Sequence, residues 1–233
     1  MKTSSAPKRG RTDAGPRQLD TRERLLDAAE KLFAERGFNG VSTREITFAA
    51  GANSAAMHYH FGSKEAVIRE IFERRLGPIN AERERLMDEG VAASDPPDIA
   101  RILRAFIGPT LSIGNSVGER HFKILAARSS MDPNPEIRHT VFTFYDSVGS
   151  KFVDAIARAC PHLGREELFW RLACVYGAML YVRADNGRLQ IIMGDDLSLG
   201  SADDALRFLI PVLAAGLALP PVGEAQPLQP DER

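Results

Sequence analysis

The segment STREITFAAGANSAAMHYHF, residues 42–61, contains two helix starts in quick succession. Ser42 and Glu45 have the spacing of a capping box, in which the serine oxygen accepts the third helical N–H and the glutamate reaches back to the serine amide. Gly51 closes this first short helix. Asn53 is placed to cap a second, of about seven residues, ending near His60 and Phe61. The preceding TRERLLDAAEKLFAERG starts with Asp20 or Thr21 as its cap, puts Leu25, Leu26, Ala29, Leu32 and Phe33 on one face, and stops at Gly37. Two short helices about a tight turn, braced by a longer first helix, form a helix-turn-helix. The second helix of such a unit lies in the DNA major groove with its first residues at base edges.

The rest of the chain also reads as helix, and alternating β-branched runs are scarce. A long helix restarts at Lys64 with Val67, Ile68, Ile71, Phe72 and Leu76 at helical spacing, and the Gly77–Pro78 step is expected to kink or break it. Further helices are expected over residues 99–113 and 119–131, then 135–159, 165–184 and 202–219, with kinks at Pro109 and Pro211. The stretch ELFWRLACVYGAMLYV is apolar almost all round and needs cover on more than one side. The class is all-α: a three-helix helix-turn-helix unit over residues 20–66, and a helical bundle over residues 67–219 with room for an inner pocket and a subunit interface. Residues 1–19 carry five basic residues against one acidic, lack periodicity, and are expected to be a disordered basic arm. Residues 220–233 are Pro-rich and are expected to be a disordered tail.

Composition removes several function classes. Cys160 and Cys174 are the two cysteines and lack CxxC spacing, so a disulfide framework or thiolate zinc site is not expected. No apolar run has the length of a signal peptide or membrane span, and a cytoplasmic location is the expectation. His121, His139 and His162 are scattered, GDD at residues 194–196 reads as a connecting loop, and neither GxSxG nor a phosphate loop occurs, so an enzyme is not the reading. The HYH triplet fails as a metal site, because residues i and i+2 of a helix point about 200° apart. No catalytic, metal or cofactor site is expected. Residues 20–75 hold nine basic and nine acidic residues, so any DNA surface must be a local patch.

The stretch LLDAAEKLFAERGFNGVSTREITFAAGANSAAMHYHFGSKEAVI resembles the N-terminal domain of the TetR/AcrR family of transcriptional regulators. The features that carry the resemblance are AAEKLFAERGF in the first helix, ST and REI opening the second, AG at the turn, and the YHF and SKE closure. The resemblance implies Thr43 as a phosphate-contacting hydroxyl and Asn53, Ser54, Ala55 and Ala56 as the base-facing edge. It places His58, Tyr59 and His60 against the DNA backbone, with His60 the more structural histidine, and Lys64 at a phosphate. Arg44 faces the same groove and suits a phosphate or a guanine edge. Two departures are notable: the base-facing edge is small, and His58 replaces a commonly aromatic residue with one able to carry charge.

The family resemblance further implies a small-molecule pocket and a dimer. RRLGPINAERERLMD and PHLGREELFWRLACVYGAM resemble a CecR-like or fatty-acid-sensing C-terminal domain. The candidate pocket residues are Phe106, Phe122, Phe142, Tyr145, Trp170 and Tyr176, with Met179, His121 and Arg128 nearby, and each has core packing as its alternative reading. The last two helices are expected to form a four-helix interface between subunits, with Leu206, Leu209, Ile210, Leu213 and Leu217 as its stripe. The functional expectation is a ligand-responsive repressor that binds an operator as a homodimer and is released by a hydrophobic effector. An activator, or a regulator without inducer, stays open beside it.

Overall fold

The computed structural model describes residues 20–223 apart from positions 115, 185, 186, 195, 198 and 200, and leaves out the side chain of Ser130. The expected basic arm and most of the expected tail lie outside the described residues. Among the described residues there is no strand. The helices are α1 (Thr21–Arg36), α2 (Thr43–Ala49), α3 (Ser54–Phe61), α4 (Lys64–Ala92), α5 (Ile99–Leu111), α6 (Val117–Ser130), α7 (Pro135–Ala159), α8 (Arg165–Ala184), α9 (Arg188–Met193) and α10 (Ala202–Ala218). No described helix is long and apolar enough to cross a membrane.

Local chemistry accounts for most boundaries. Asn53, Ser63, Asp98 and Asn134 each cap the helix that follows with a side-chain oxygen, and Pro135 takes the first position of α7. Capping boxes start α2, α6 and α10. The box of Ser116 and Glu119 is why α6 starts earlier than the apolar spacing suggested. Asp20 holds the cap position of α1, but its side chain makes no capping bond.

The step at Gly77–Pro78 does not break α4, which runs unbroken to Ala92. Proline removes one donor and crowds the preceding turn, a local cost. Here Pro78 is exposed, so the freed carbonyl is on the solvent side, while Leu76, Arg83, Met87 and Gly90 on the other face are buried against the bundle. Packing outweighs the local penalty. Pro109 and Pro211 likewise sit inside continuous helices.

Two apolar clusters share α4. The first joins α1, α2, α3 and the front of α4 to Phe122, Leu125 and Ala126 of α6 and to Ile137 and Val141 of α7. The second joins Met87 of α4 to α5, the back of α7, α8 and α10. The expected domain boundary at residues 66–67 falls within α4, and apolar packing continues across it. At the other end, Arg171 of α8 donates to the carbonyls of Gly216, Leu217 and Leu219 and of Pro220, while Glu167 accepts the Val222 amide at 3.0 Å. Pro220 and Val222, at the start of the expected tail, are therefore tied to α8.

Candidate nucleic-acid interface

The helix-turn-helix is assembled from its turn outwards. The Ala50 amide bonds Ile46 O at 2.9 Å, and the chain reverses at Gly51, whose φ of +59° suits glycine. The Ala52 amide then reaches back to Thr47 O at 2.9 Å. Ile46, Met57 and Phe61 are buried against α1 and α4, which fixes the faces that α2 and α3 leave outside. Ser42 Oγ accepts from the Glu45 amide, and Glu45 Oε2 accepts the Ser42 amide at 2.8 Å. Arg36 Nη1 adds a bond to Glu45 Oε1 at 2.7 Å, linking α1 to α2. These contacts hold the Glu45 carboxyl down to about 2, with the Ser42 bonds as the largest causes and Arg36 after them.

The exposed edge contains most of the expected residues. Thr43, Arg44, Asn53, Ser54, Ala55 and His58 are exposed, and Tyr59 is 85% exposed. Asn53 Oδ1 is engaged by the Ala56 amide at 2.8 Å, which leaves its NH2 group as the free donor. Such a donor matches acceptors on base edges. His60 is half-buried, with its ring edge-on to Tyr59 at 5.1 Å and tilted towards Phe61 at 6.0 Å. It packs more than it projects.

Lys64 is placed otherwise than expected. Its ammonium donates to Phe38 O at 3.0 Å and Val41 O at 2.9 Å and lies 4.2 Å from the centre of the Phe38 ring. An ammonium has three donors, so the lysine first ties the α1–α2 loop to the start of α4. Phe48, which the sequence reading passed over, is 88% exposed on α2. Arg44 and Phe48 are four apart and share a face, while Ile46 and Thr47 turn inward. That spacing was the available signal.

The expected effector residues do not converge. Phe106 and Phe122 are core residues in different clusters: Phe106 stacks on Phe152 at 3.9 Å, and Phe122 meets Phe72 edge-on at 5.3 Å. Tyr145 packs on the first cluster and Tyr176 on the second, where Met179 is buried. Phe142 and Trp170 face outward. Four of the six residues, Phe106, Phe122, Tyr145 and Tyr176, have helical spacing because they fill or pad the core. His121 lines an open cleft between α1 and α6, and Arg128 lines another beside residues 37–40.

The expected interface stripe also turns inward. Leu206, Ile210 and Leu217 are buried in the second cluster, with Leu213 packed against it and Leu209 half-buried. The outer face of α10 instead carries Phe208, Val212, Ala215 and Leu219, and that of α8 carries Trp170, Cys174, Gly177 and Tyr181. Because α10 is apolar on both faces, spacing alone could not say which one meets α5.

Residues 25–71 match the family model described as bacterial regulatory proteins, tetR family, and residues 104–216 match the Tetracyclin repressor-like C-terminal domain. The chain belongs to the TetR family. Among curated TetR relatives, it is 37% identical over 70 residues to the HTH-type transcriptional repressor KstR2 of Rhodococcus jostii, covering 30% of this chain and 34% of that protein. It is 33% identical over 98 residues to the repressor NicS of Pseudomonas putida, covering 42% of this chain and 45% of that one. The matches thus span between about a third and just under half of the length of these relatives. The fatty acid degradation regulator FadR of Bacillus halodurans superposes with a TM-score of 0.63 at 15% identity, over 87% of this chain and 99% of that one. At that identity the likeness is one of TetR fold.

Proposed function

We propose that the chain is a ligand-responsive transcriptional repressor of the cytoplasm that binds operator DNA as a homodimer and is released by a small molecule. The observation that carries this reading is the edge formed by Thr43, Arg44, Asn53, Ser54, Ala55, His58 and Tyr59. These side chains stand outside a packed helix-turn-helix whose inner faces are fully used. Arg44 and the amide of Asn53 supply donors for phosphates and base edges, and Tyr59 supplies a flat surface for the sugar–phosphate backbone. One such unit has a small footprint, and two related by a twofold axis reach half-sites about 34–36 Å apart or a multiple of that. The outward apolar faces of α8 and α10 suit the pairing of two copies. An effector that binds better to the protein off DNA shifts the population away from the DNA-bound form.

The test is binding of the full chain to the DNA upstream of its own gene, read by fluorescence anisotropy against random-sequence competitor at several salt concentrations. Saturable binding that resists competitor and weakens with salt is expected. Binding indistinguishable from random DNA, there and in a selection from genomic fragments, would remove the reading.

A further inference from the structure

Asn53 opens the edge that faces DNA bases in the reading above, and its side chain already has a task inside the protein. Its Oδ1 accepts the Ala56 amide at 2.8 Å as the cap of α3. That bond turns the oxygen towards the first turn of the helix and leaves the NH2 group as the free half. The common pairing of asparagine with adenine uses both halves of the amide, the oxygen on the N6 amino group and the NH2 on N7. An asparagine held as a cap cannot offer them side by side. Only its donor half is left.

The carboxylate of the motif is spent as well. Glu45 Oε2 accepts the Ser42 amide at 2.8 Å and the Ser42 hydroxyl at 2.7 Å, and Oε1 accepts from Arg36 at 2.7 Å. The first turn of α3 then exposes the Ser54 hydroxyl, which donates or accepts, and the Ala55 methyl. Arg44 on α2 can only donate. His58 and Tyr59 come later along α3, beyond the N-terminal residues that meet base edges. In the major groove guanine and thymine carry keto oxygens, O6 and O4, where adenine and cytosine carry amino groups, and thymine adds a methyl. Free donors and a methyl complement the keto bases, whereas an amino group under Asn53 meets another donor.

We infer that α3 reads keto bases: the Asn53 NH2 group donates to the oxygen of a guanine or thymine, and the Ala55 methyl packs on a thymine methyl. At the base pair under Asn53, guanine and thymine are then interchangeable on the strand that is read, and adenine and cytosine are rejected. This reverses the adenine preference that an uncapped asparagine would bring. The inference rests on the DNA-binding reading above and names the bases that the same edge takes.

The test uses the full chain and the operator duplex recovered from the upstream DNA or the genomic selection, with each base pair of one half-site replaced in turn by the other three. Anisotropy reads affinity, and a random-sequence duplex measured in parallel gives any loss common to all DNA. At one position guanine and thymine are expected to bind about equally, and adenine and cytosine about tenfold more weakly. Asn53→Asp keeps a capping oxygen, so its melting temperature is expected to stay within about 2 °C. It exchanges the donor for an acceptor, and its preference at that position should pass to adenine and cytosine. Deoxyuridine in place of thymine removes only the methyl, and is expected to weaken the wild type about fourfold per contacted base and Ala55→Gly not at all. An adenine preference at the position that responds to Asn53→Asp, or base preferences that this variant leaves unchanged throughout, would overturn the keto reading and leave a DNA-binding regulator. Deoxyuridine duplexes bound as tightly as thymine ones would overturn the methyl contact. A chain that prefers none of the duplexes to random DNA would remove the repressor reading and this inference with it.

Discussion

Glu30 of α1 receives both Nε and Nη2 of Arg75 from α4, at 2.9 and 3.0 Å, and is almost completely buried where it does so. Arg74 reaches the same carboxylate and also meets Glu23 at 3.1 Å and Asp27 at 2.8 Å. The two arginines are about three-quarters covered, so the cluster is a semi-buried lock between the DNA-binding helices and the helix that enters the second cluster. Removing Glu30 takes the carboxylate from Arg75 at a buried gap, while Arg74 keeps Glu23 and Asp27. Glu30→Ala is expected to destabilise the protein by about 3 kcal/mol in urea unfolding, and a double-mutant cycle with Arg75→Ala is expected to give a coupling of about 1 kcal/mol or more. Additive effects in that cycle would mean the pair is only a surface contact.

Lys64 separates two roles that sequence alone merges. If its ammonium mainly ties down the Phe38 and Val41 carbonyls, Lys64→Met lowers stability by about 1–2 kcal/mol and weakens DNA binding by loosening the α1–α2 loop. The slope of log affinity against log salt then stays unchanged. A lysine spent on phosphate gives the opposite pattern, with an unchanged melting temperature and a slope shallower by about 0.9.

Arg44 and Phe48 act from the surface. Arg44→Ala is expected to leave the melting temperature within about 1 °C, because its exposed side chain has no partner among the described residues and contributes little to folding. It should also make the salt slope of operator binding shallower by about 1. Phe48→Ala should weaken operator binding with the slope intact, since a ring releases no counterion. Wild-type affinity in both variants would move the DNA edge away from α2.

The capping residues made the fold legible. Ser42 with Glu45, Asn53, and Pro135 each fixed a helix start, and α7 and α8 have the bounds that apolar spacing proposed. Spacing says that a face is apolar but not what covers it. Phe106 and Trp170 look alike in sequence, yet one is stacked in the core and the other is 62% exposed. Arg83 shows the same limit for charge. Among the many Arg and Glu residues of the α4 sequence nothing distinguishes it, and only the closure of α5 and α8 around it makes it a buried cation. The candidate DNA edge was readable because it is built locally, whereas the second apolar cluster joins residues from distant helices.

Acid should loosen the front of α2. The Glu45 carboxyl is lowered in the folded state, so its contribution is fully present above the ordinary glutamate value near 4.5 and is lost as pH falls towards about 2. A carbon-detected NMR titration is expected to place its midpoint near 2 in the folded protein. Arg36→Gln should move that midpoint upward, and Glu45→Gln should flatten the acid side of the stability profile between those limits. A midpoint near 4.5 in the wild type would mean that the capping box and the Arg36 bond do not persist in solution.

The two faces of α10 allow the inward and outward readings of its leucines to be set against each other. Phe208 and Val212 are 67% and 70% exposed, and the neighbouring α8 exposes Trp170 and Tyr181. If this surface joins two copies, Phe208→Asp with Val212→Asp sediments as a folded monomer whose helix content matches the wild type. Its operator affinity falls by orders of magnitude, because a single recognition unit cannot span two half-sites. Leu217 lies on the other face, fully buried. Leu217→Ala therefore keeps the dimer and instead lowers stability by about 2–5 kcal/mol, as expected for a core cavity. The reverse outcome, a monomer from Leu217→Ala and a dimer from the double aspartate variant, would place the subunit contact on the inward stripe and require α10 to pack the other way round.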